Sequence, residues 1–112
     1  MEEKIHSIFL DPTGTHLIIS MEHGDNFYLH IAWTKPKPLL RAKGVVIDSI
    51  GWNLNNKDKA TTDAILIGAR NGIIYETLIE STDKFLSGIT NKLFTDSKEK
   101  YWKLVRSFFL CA

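Results

Sequence analysis

Along most of this chain, apolar and β-branched residues fall in short runs broken by Gly, Pro, Asn and Asp. That is the pattern of strands separated by tight turns. Ile5–Leu10 reads Ile-His-Ser-Ile-Phe-Leu, and a strand there sets Ile5, Ser7 and Phe9 on one face against His6, Ile8 and Leu10 on the other. Asp11-Pro12-Thr13-Gly14 follows in the residue order of a type I turn. His16–Ser20 predicts a second strand, Glu22–Asp25 a turn around Gly24, and Asn26–Trp33 a third strand. Lys35-Pro36-Lys37-Pro38 predicts an extended connection that breaks any ladder. Val45–Trp52 and Ala64–Arg70 read as further strands around a polar loop, Asn53–Asp63. Asn71-Gly72 predicts a hairpin closed by a type I′ turn, with Ile73–Glu80 returning.

After Glu80 two readings stay open. Ser81-Thr82-Asp83 can cap a helix over Phe85, Leu86, Ile89 and Leu93, although Gly88 counts against it. Asp96 or Ser97 can cap a second helix, with Tyr101, Leu104, Val105 and Phe108 on one face. The aromatic content of that stretch keeps a strand open.

The runs repeat. Ser7-Ile8-Phe9-Leu10-Asp11 aligns with Ser49-Ile50-Gly51-Trp52-Asn53 at an offset of 42. Leu17-Ile18-Ile19-Ser20 aligns with Ile65-Leu66-Ile67-Gly68 at an offset of 48, as do Gly24 with Gly72 and Phe27 with Tyr75. The extra residues of the second copy fall in the polar loop. Units of about forty to fifty residues with several short strands are the signature of propeller blades. The expected fold is therefore mainly β. Antiparallel meander sheets would form blade-like units at about 5–33 and 45–80, with an incomplete third over 81–112. About two and a half blades fall short of the roughly four a ring needs. The competing reading is two hairpin-rich segments of a small sandwich.

Composition adds limits. The 112 residues carry fourteen Lys+Arg and thirteen Asp+Glu, so net charge gives no case for nucleic acid. One cysteine, Cys111, cannot pair internally and points to a reducing compartment, the cytosol. No run approaches the roughly 18–20 apolar residues of a membrane span, and Met-Glu-Glu-Lys opens no secretory signal.

Candidate chemistry is thin. His6, His16, His23 and His30 invite a metal, but no pair has helical ligand spacing, and the expectation is ordinary strand and turn histidines with no metal or cofactor. Asp11 and Asp25 fit turn chemistry better than a catalytic carboxylate pair with Asp48 or Asp63. Gly68-Ala-Arg-Asn-Gly72 lacks the Lys-Ser/Thr of a phosphate loop. No nucleophile motif appears, so no enzymatic activity is expected. Asp11, Pro12, Gly14, Gly24, Gly68, Asn71 and Gly72 read as turn and strand-end positions. Trp52, Tyr75, Phe9 and Phe27 read as fillers between sheet layers. Lys35, Lys37, Arg41 and Lys43 form a basic cluster without an acid, suited either to a solvated connection or to acidic headgroups or an acidic partner. Lys98, Lys100, Lys103 and Arg106 with interleaved aromatics read as core and surface rather than a nucleic-acid site.

Ile8-Phe-Leu-Asp-Pro-Thr-Gly-Thr-His-Leu-Ile-Ile-Ser20 resembles the opening of the deep-orange family, the class C vacuolar sorting subunits of the HOPS and CORVET tethering complexes. Tyr28-Leu-His30, Lys35–Leu39, Lys43-Gly44, Ile47–Asn53, Ile65–Gly68 and Asn71–Glu76 continue the resemblance in order through residue 80, and Lys98–Val105 extends it weakly. The resemblance implies an N-terminal β-propeller that serves as a protein-interaction platform. Its partners would be other tethering-complex subunits, with peripheral attachment to endosome, lysosome or vacuole membranes through the complex. Family members continue into an α-solenoid and a RING domain. One cysteine cannot build that RING, so ligase activity does not carry over. The alternatives are an unrelated WD-like scaffold or a small metal-binding or hydrolytic β-domain. Exposed sheet edges and blade faces predict that the isolated chain self-associates.

Overall fold

The computed structural model describes residues 3–82 and the backbone of 91–94. Within them the chain forms two four-stranded antiparallel sheets. The first holds β1 (Ile5–Leu10), β2 (His16–Met21), β3 (Asn26–His30) and β4 (Lys37–Pro38), each hydrogen-bonded to the next. The second holds β5 (Ile47–Gly51), β6 (Ile65–Ala69), β7 (Ile74–Thr77) and β8 (Asn91–Phe94) in the same order. A short 3-10 turn, Leu40–Ala42, lies on the connection between them.

The two sheets share one register. Ile8 pairs with Ile19 and Ile19 with Phe27, while Ile50 pairs with Ile67 and Ile67 with Tyr75. Each first strand carries a register shift at the same place, between Ile5 and Ser7 and between Ile47 and Ser49. The hairpin turns also match. Gly24 N–H donates to Met21 O and Gly72 N–H to Ala69 O, both at 3.0 Å. Glu22 N–H reaches Lys4 O at 2.9 Å, and Arg70 N–H reaches Val46 O at 2.8 Å. The offsets of 42 and 48 seen in the sequence are thus a repeat of backbone geometry, the architecture of propeller blades.

Four local expectations are corrected. Lys37-Pro38 does not break the ladder but forms its outer strand, with Tyr28 opposite Lys37 and Phe27 opposite Pro38. Proline is tolerated there because an edge strand's outward N–H has no partner to lose. The Asn71-Gly72 hairpin is not a type I′ turn. Three residues, Arg70 to Gly72, separate the paired Ala69 and Ile73, and only Gly72 takes a positive φ, +84°. Asn71 instead uses its side chain, whose Oδ1 accepts the Ile73 N–H at 3.0 Å. Leu93, expected on a helix, lies in β8. Phe27 points away from the core, and its neighbour Tyr28 is the fully buried aromatic. The remaining helix positions after Ser81, the basic and aromatic stretch from Lys98 onward and Cys111 lie outside the described residues.

The core sits between the two sheets. Ile18, Tyr28, Leu39 and Ala42 from the first unit meet Ile47, Ile50, Trp52, Ile65, Ile67 and Ile79 from the second, with Phe9, Trp33, Val45 and Tyr75 packed at its margin. Neither sheet could bury these rows alone, which is why blades stack.

Candidate interaction surfaces

Three polar links fix how the sheets meet. Ser20 Oγ accepts the Ile47 N–H at 2.9 Å, joining the end of β2 to the start of β5. Asn26, buried, donates its amide to Ala42 O at 2.8 Å and Val45 O at 2.7 Å, clamping the connection from beneath. Gly24 O accepts the Gly44 N–H at 2.8 Å. The approach is close: a Cβ on Gly24 would lie 2.9 Å from Gly44 Cα, and its φ of +98° already disfavours any side chain. None of these roles is visible in the sequence, because the connection carries no motif of its own.

The matched register shifts bring a fourth link. His6 and Asp48 occupy the same position in the two units and touch: His6 Nε2 lies 2.7 Å from Asp48 Oδ1. Arg70 donates to His6 Nδ1 at 3.0 Å. The tautomer that fits carries its proton on Nε2 and donates it to Asp48. A bulge re-aims one side chain out of the ladder, so equivalent bulges on neighbouring first strands face one another.

Of the other histidines, His16 and His30 meet edge-on with ring centroids 5.6 Å apart, and His23 lies away from them. His16 is buried with its Nδ1 2.6 Å from the Tyr28 hydroxyl. Burial holds the His16 imidazole below its ordinary pKa, and neighbouring His30 adds to this. Asp11, the Thr61 backbone and Asp58 oppose it. Burial, then the charge of Asp11, raises the Tyr28 hydroxyl. His30 accepts the Ala32 N–H and donates to Lys59 O at 2.8 Å. His23 pairs with Asp25 at 2.7 Å, and with Glu3 these offer ligand atoms within 4.8 Å of one another on exposed or half-exposed side chains. The four histidines do not converge.

Asp11 closes its own turn. Its carboxylate accepts from the Thr13 hydroxyl and N–H and from the N–H groups of Thr15 and His16, the last two at 2.8 Å. Burial alone would raise its pKa. The bonds from His16, Thr13 and Thr15 outweigh that and hold it below the usual carboxylate range. Pro12 stands second in this turn, and Gly14 closes it by donating to Asp11 O at 3.0 Å. A crevice of about 50 Å³ lies between this turn and Trp52, Asn53 and Thr62. It has room for a few waters. Asp25 and Asp48 are each bound to a histidine, and Asp63 accepts from the Ala64 N–H, so the four aspartates sit in four places. Gly68 lies within β6 opposite Ser49 and Ile74, and a hairpin rather than a helix follows it.

The chain matches the Pep3/Vps18/deep orange β-propeller domain over residues 1–108. It belongs to that family. A zebrafish (Danio rerio) relative, named vacuolar protein sorting-associated protein 18 homolog, is 35% identical over 104 residues, 93% of this chain. Vacuolar sorting protein 18 of Arabidopsis thaliana is 33% identical over 86 residues, 74% of this chain. A Caenorhabditis elegans homolog is 37% identical over 67% of the chain. The chain spans 9% of the length of the plant relative, 10% of the fish one and 7% of the nematode one. Membership in the Pep3/Vps18/deep orange family removes the reading as an unrelated WD-like scaffold. Among the described residues no helix is long and apolar enough to cross a membrane.

The basic cluster lies at the outer rim of the first sheet. Lys35, Lys37, Arg41 and Lys43 are all exposed, the middle pair flanking Leu39 and Leu40 on and after β4. Lys37 Nζ sits 4.6 Å from the centre of the Trp33 ring, which in turn meets Tyr28 edge-on.

Proposed function

We propose that this chain is a non-enzymatic protein-interaction module, the propeller portion of a tethering-complex subunit in vacuolar sorting. Rigid blades present their turns and rims to the other subunits of the HOPS and CORVET complexes. The assembled tether then holds endosome and vacuole or lysosome membranes close before fusion. The module works at the cytoplasmic side and reaches the membrane peripherally, as part of the complex. It requires no cofactor for this role.

The observation that carries the reading is the match to the Pep3/Vps18/deep orange propeller over residues 1–108. The names of the relatives, which are vacuolar sorting proteins, support it. So does the use of the polar side chains. Asp11, Ser20, Asn26 and the His6–Asp48 pair are engaged in turns and sheet-to-sheet links, the demands of a scaffold. Co-immunoprecipitation of the full gene product tests the reading. The other HOPS or CORVET subunits should be retained at mild salt, and a product that carries none of them would overturn it.

A further inference from the structure

Residues 31–47 contain Lys35, Lys37, Arg41 and Lys43 and no carboxylate, in a chain whose formal charge is only +1. The rest of the chain is therefore net acidic, and these four cations stand together with no carboxylate between them. All four side chains are exposed, and no ion pair among the described residues involves them. Two apolar side chains stand out beside them, Leu40 at 66% and Ile31 at 69% exposure.

This rim is held in shape. Leu39 and Ala42 are buried, so the turn points them inward and leaves Leu40, Arg41 and Lys43 outside. Backbone bonds from Leu39 to Asn26 O and from Gly44 to Gly24 O, both 2.8 Å, and the Asn26 clamp on Ala42 and Val45 fix both ends. The Trp33 ring steadies Lys37. Cations presented on a fixed frame lose little freedom on contact.

We propose that this rim docks directly on an anionic phospholipid surface, with Lys35, Lys37, Arg41 and Lys43 at the headgroups and Leu40 entering the interface. Four clustered cations beside a protruding leucine match a surface that is negative outside and apolar beneath. An acidic peptide fits less well. The obvious way for a peptide to bind an outer strand is to add to it, and Pro36 and Pro38 deprive this edge of the donors that addition needs. The inference deepens the reading above, from which it takes only the membrane setting.

Vesicle flotation of the full chain tests it, since bound protein rises with lipid while self-associated protein stays behind. Vesicles of phosphatidylcholine with phosphatidylserine should carry the chain upward, and vesicles of phosphatidylcholine alone should not. Each cation near the surface is worth about fivefold in affinity. The variants K35Q/K37Q and R41Q/K43Q should each weaken binding by about 25-fold at low salt, with unchanged melting. Leu40→Ala should weaken binding while leaving its salt dependence in place. Equal flotation with neutral vesicles, insensitivity to both double variants, displacement by inositol phosphates in solution, or stronger binding to polyglutamate than to lipid would overturn the proposal. Flotation without retention of tethering subunits would sink the complex reading and leave this one standing; retention without flotation would do the reverse.

Discussion

Ile8, Ile19 and Phe27 of the first sheet hold the same register positions as Ile50, Ile67 and Tyr75 of the second. Yet Ile8 is 55% exposed and Ile50 only 8%. Leu10, 59% exposed, corresponds to the buried Trp52, and half-buried Leu17 to the fully buried Ile65. The chemistry is alike, and the difference is cover. In the second sheet these rows lie against Ile18 and Tyr28 of the first. On the first sheet the same face has no such neighbour among the described residues. The repeat thus assigns a packing role to a face that local sequence would call an odd apolar surface. Ser20 and Asn26, which grip the connection, correspond to Gly68 and Ile74, which cannot. The apolar rows recur in both sheets, while the polar clamp of Ser20 and Asn26 has no counterpart at Gly68 and Ile74.

The largest effect should come from breaking the covered rows. Ile50→Ala should cost about 2–5 kcal/mol and Trp52→Ala about 3–5 kcal/mol in urea unfolding. The matching change Ile8→Ala should cost only about 0.5 kcal/mol, as at an exposed site. Equal costs at Ile8 and Ile50 would remove the asymmetry. Next comes the clamp. Gly24→Ala must force a left-handed residue against Gly44 and should cost about 1–3 kcal/mol by the same measurement.

A pH series sharpens the comparison at His16. Its folded pKa is depressed by burial, so the unfolded chain takes up the proton first as pH falls below about 6.5. Its contribution is fully present above that value and is lost as pH falls through the depressed folded pKa, so the melting temperature should fall on that acid side. His16→Gln should flatten that limb. Asp11, also depressed, should act only at more acid pH, below its ordinary 3.8. The smallest effect is expected at the matched bulges. A double-mutant cycle of His6→Ala with Asp48→Ala should give a coupling of about 0.2–1 kcal/mol, since the pair is partly exposed.

Much of this was legible in the residues. The alternation of Ile5–Leu10 and the Asp-Pro-Thr-Gly turn set β1 and its end, and the two offsets announced the shared register. What was hidden has physical reasons. Lys-Pro-Lys-Pro reads as a ladder breaker unless the strand is known to be an edge. Phe27 and Tyr28 are adjacent aromatics on opposite faces, and only the cover supplied by the second sheet decides which one is core. Asn71-Gly72 carries the signal of a two-residue loop, but the repeat imposes the three-residue geometry of its counterpart at Gly24. The His6–Asp48 contact spans 42 residues and has no local signal. It lies one position before the aligned blocks that begin at Ser7 and Ser49, at the same offset of 42.

The claim that the first sheet's outer face is a blade-packing surface, uncovered among the described residues, is tested most directly by sedimentation velocity of the 112-residue chain over a concentration series. The account predicts concentration-dependent association that Ile8→Lys with Leu10→Lys abolishes, while the melting of the variant stays that of the parent. A parent chain that sediments as a single monomer at every concentration and melts sharply would contradict it.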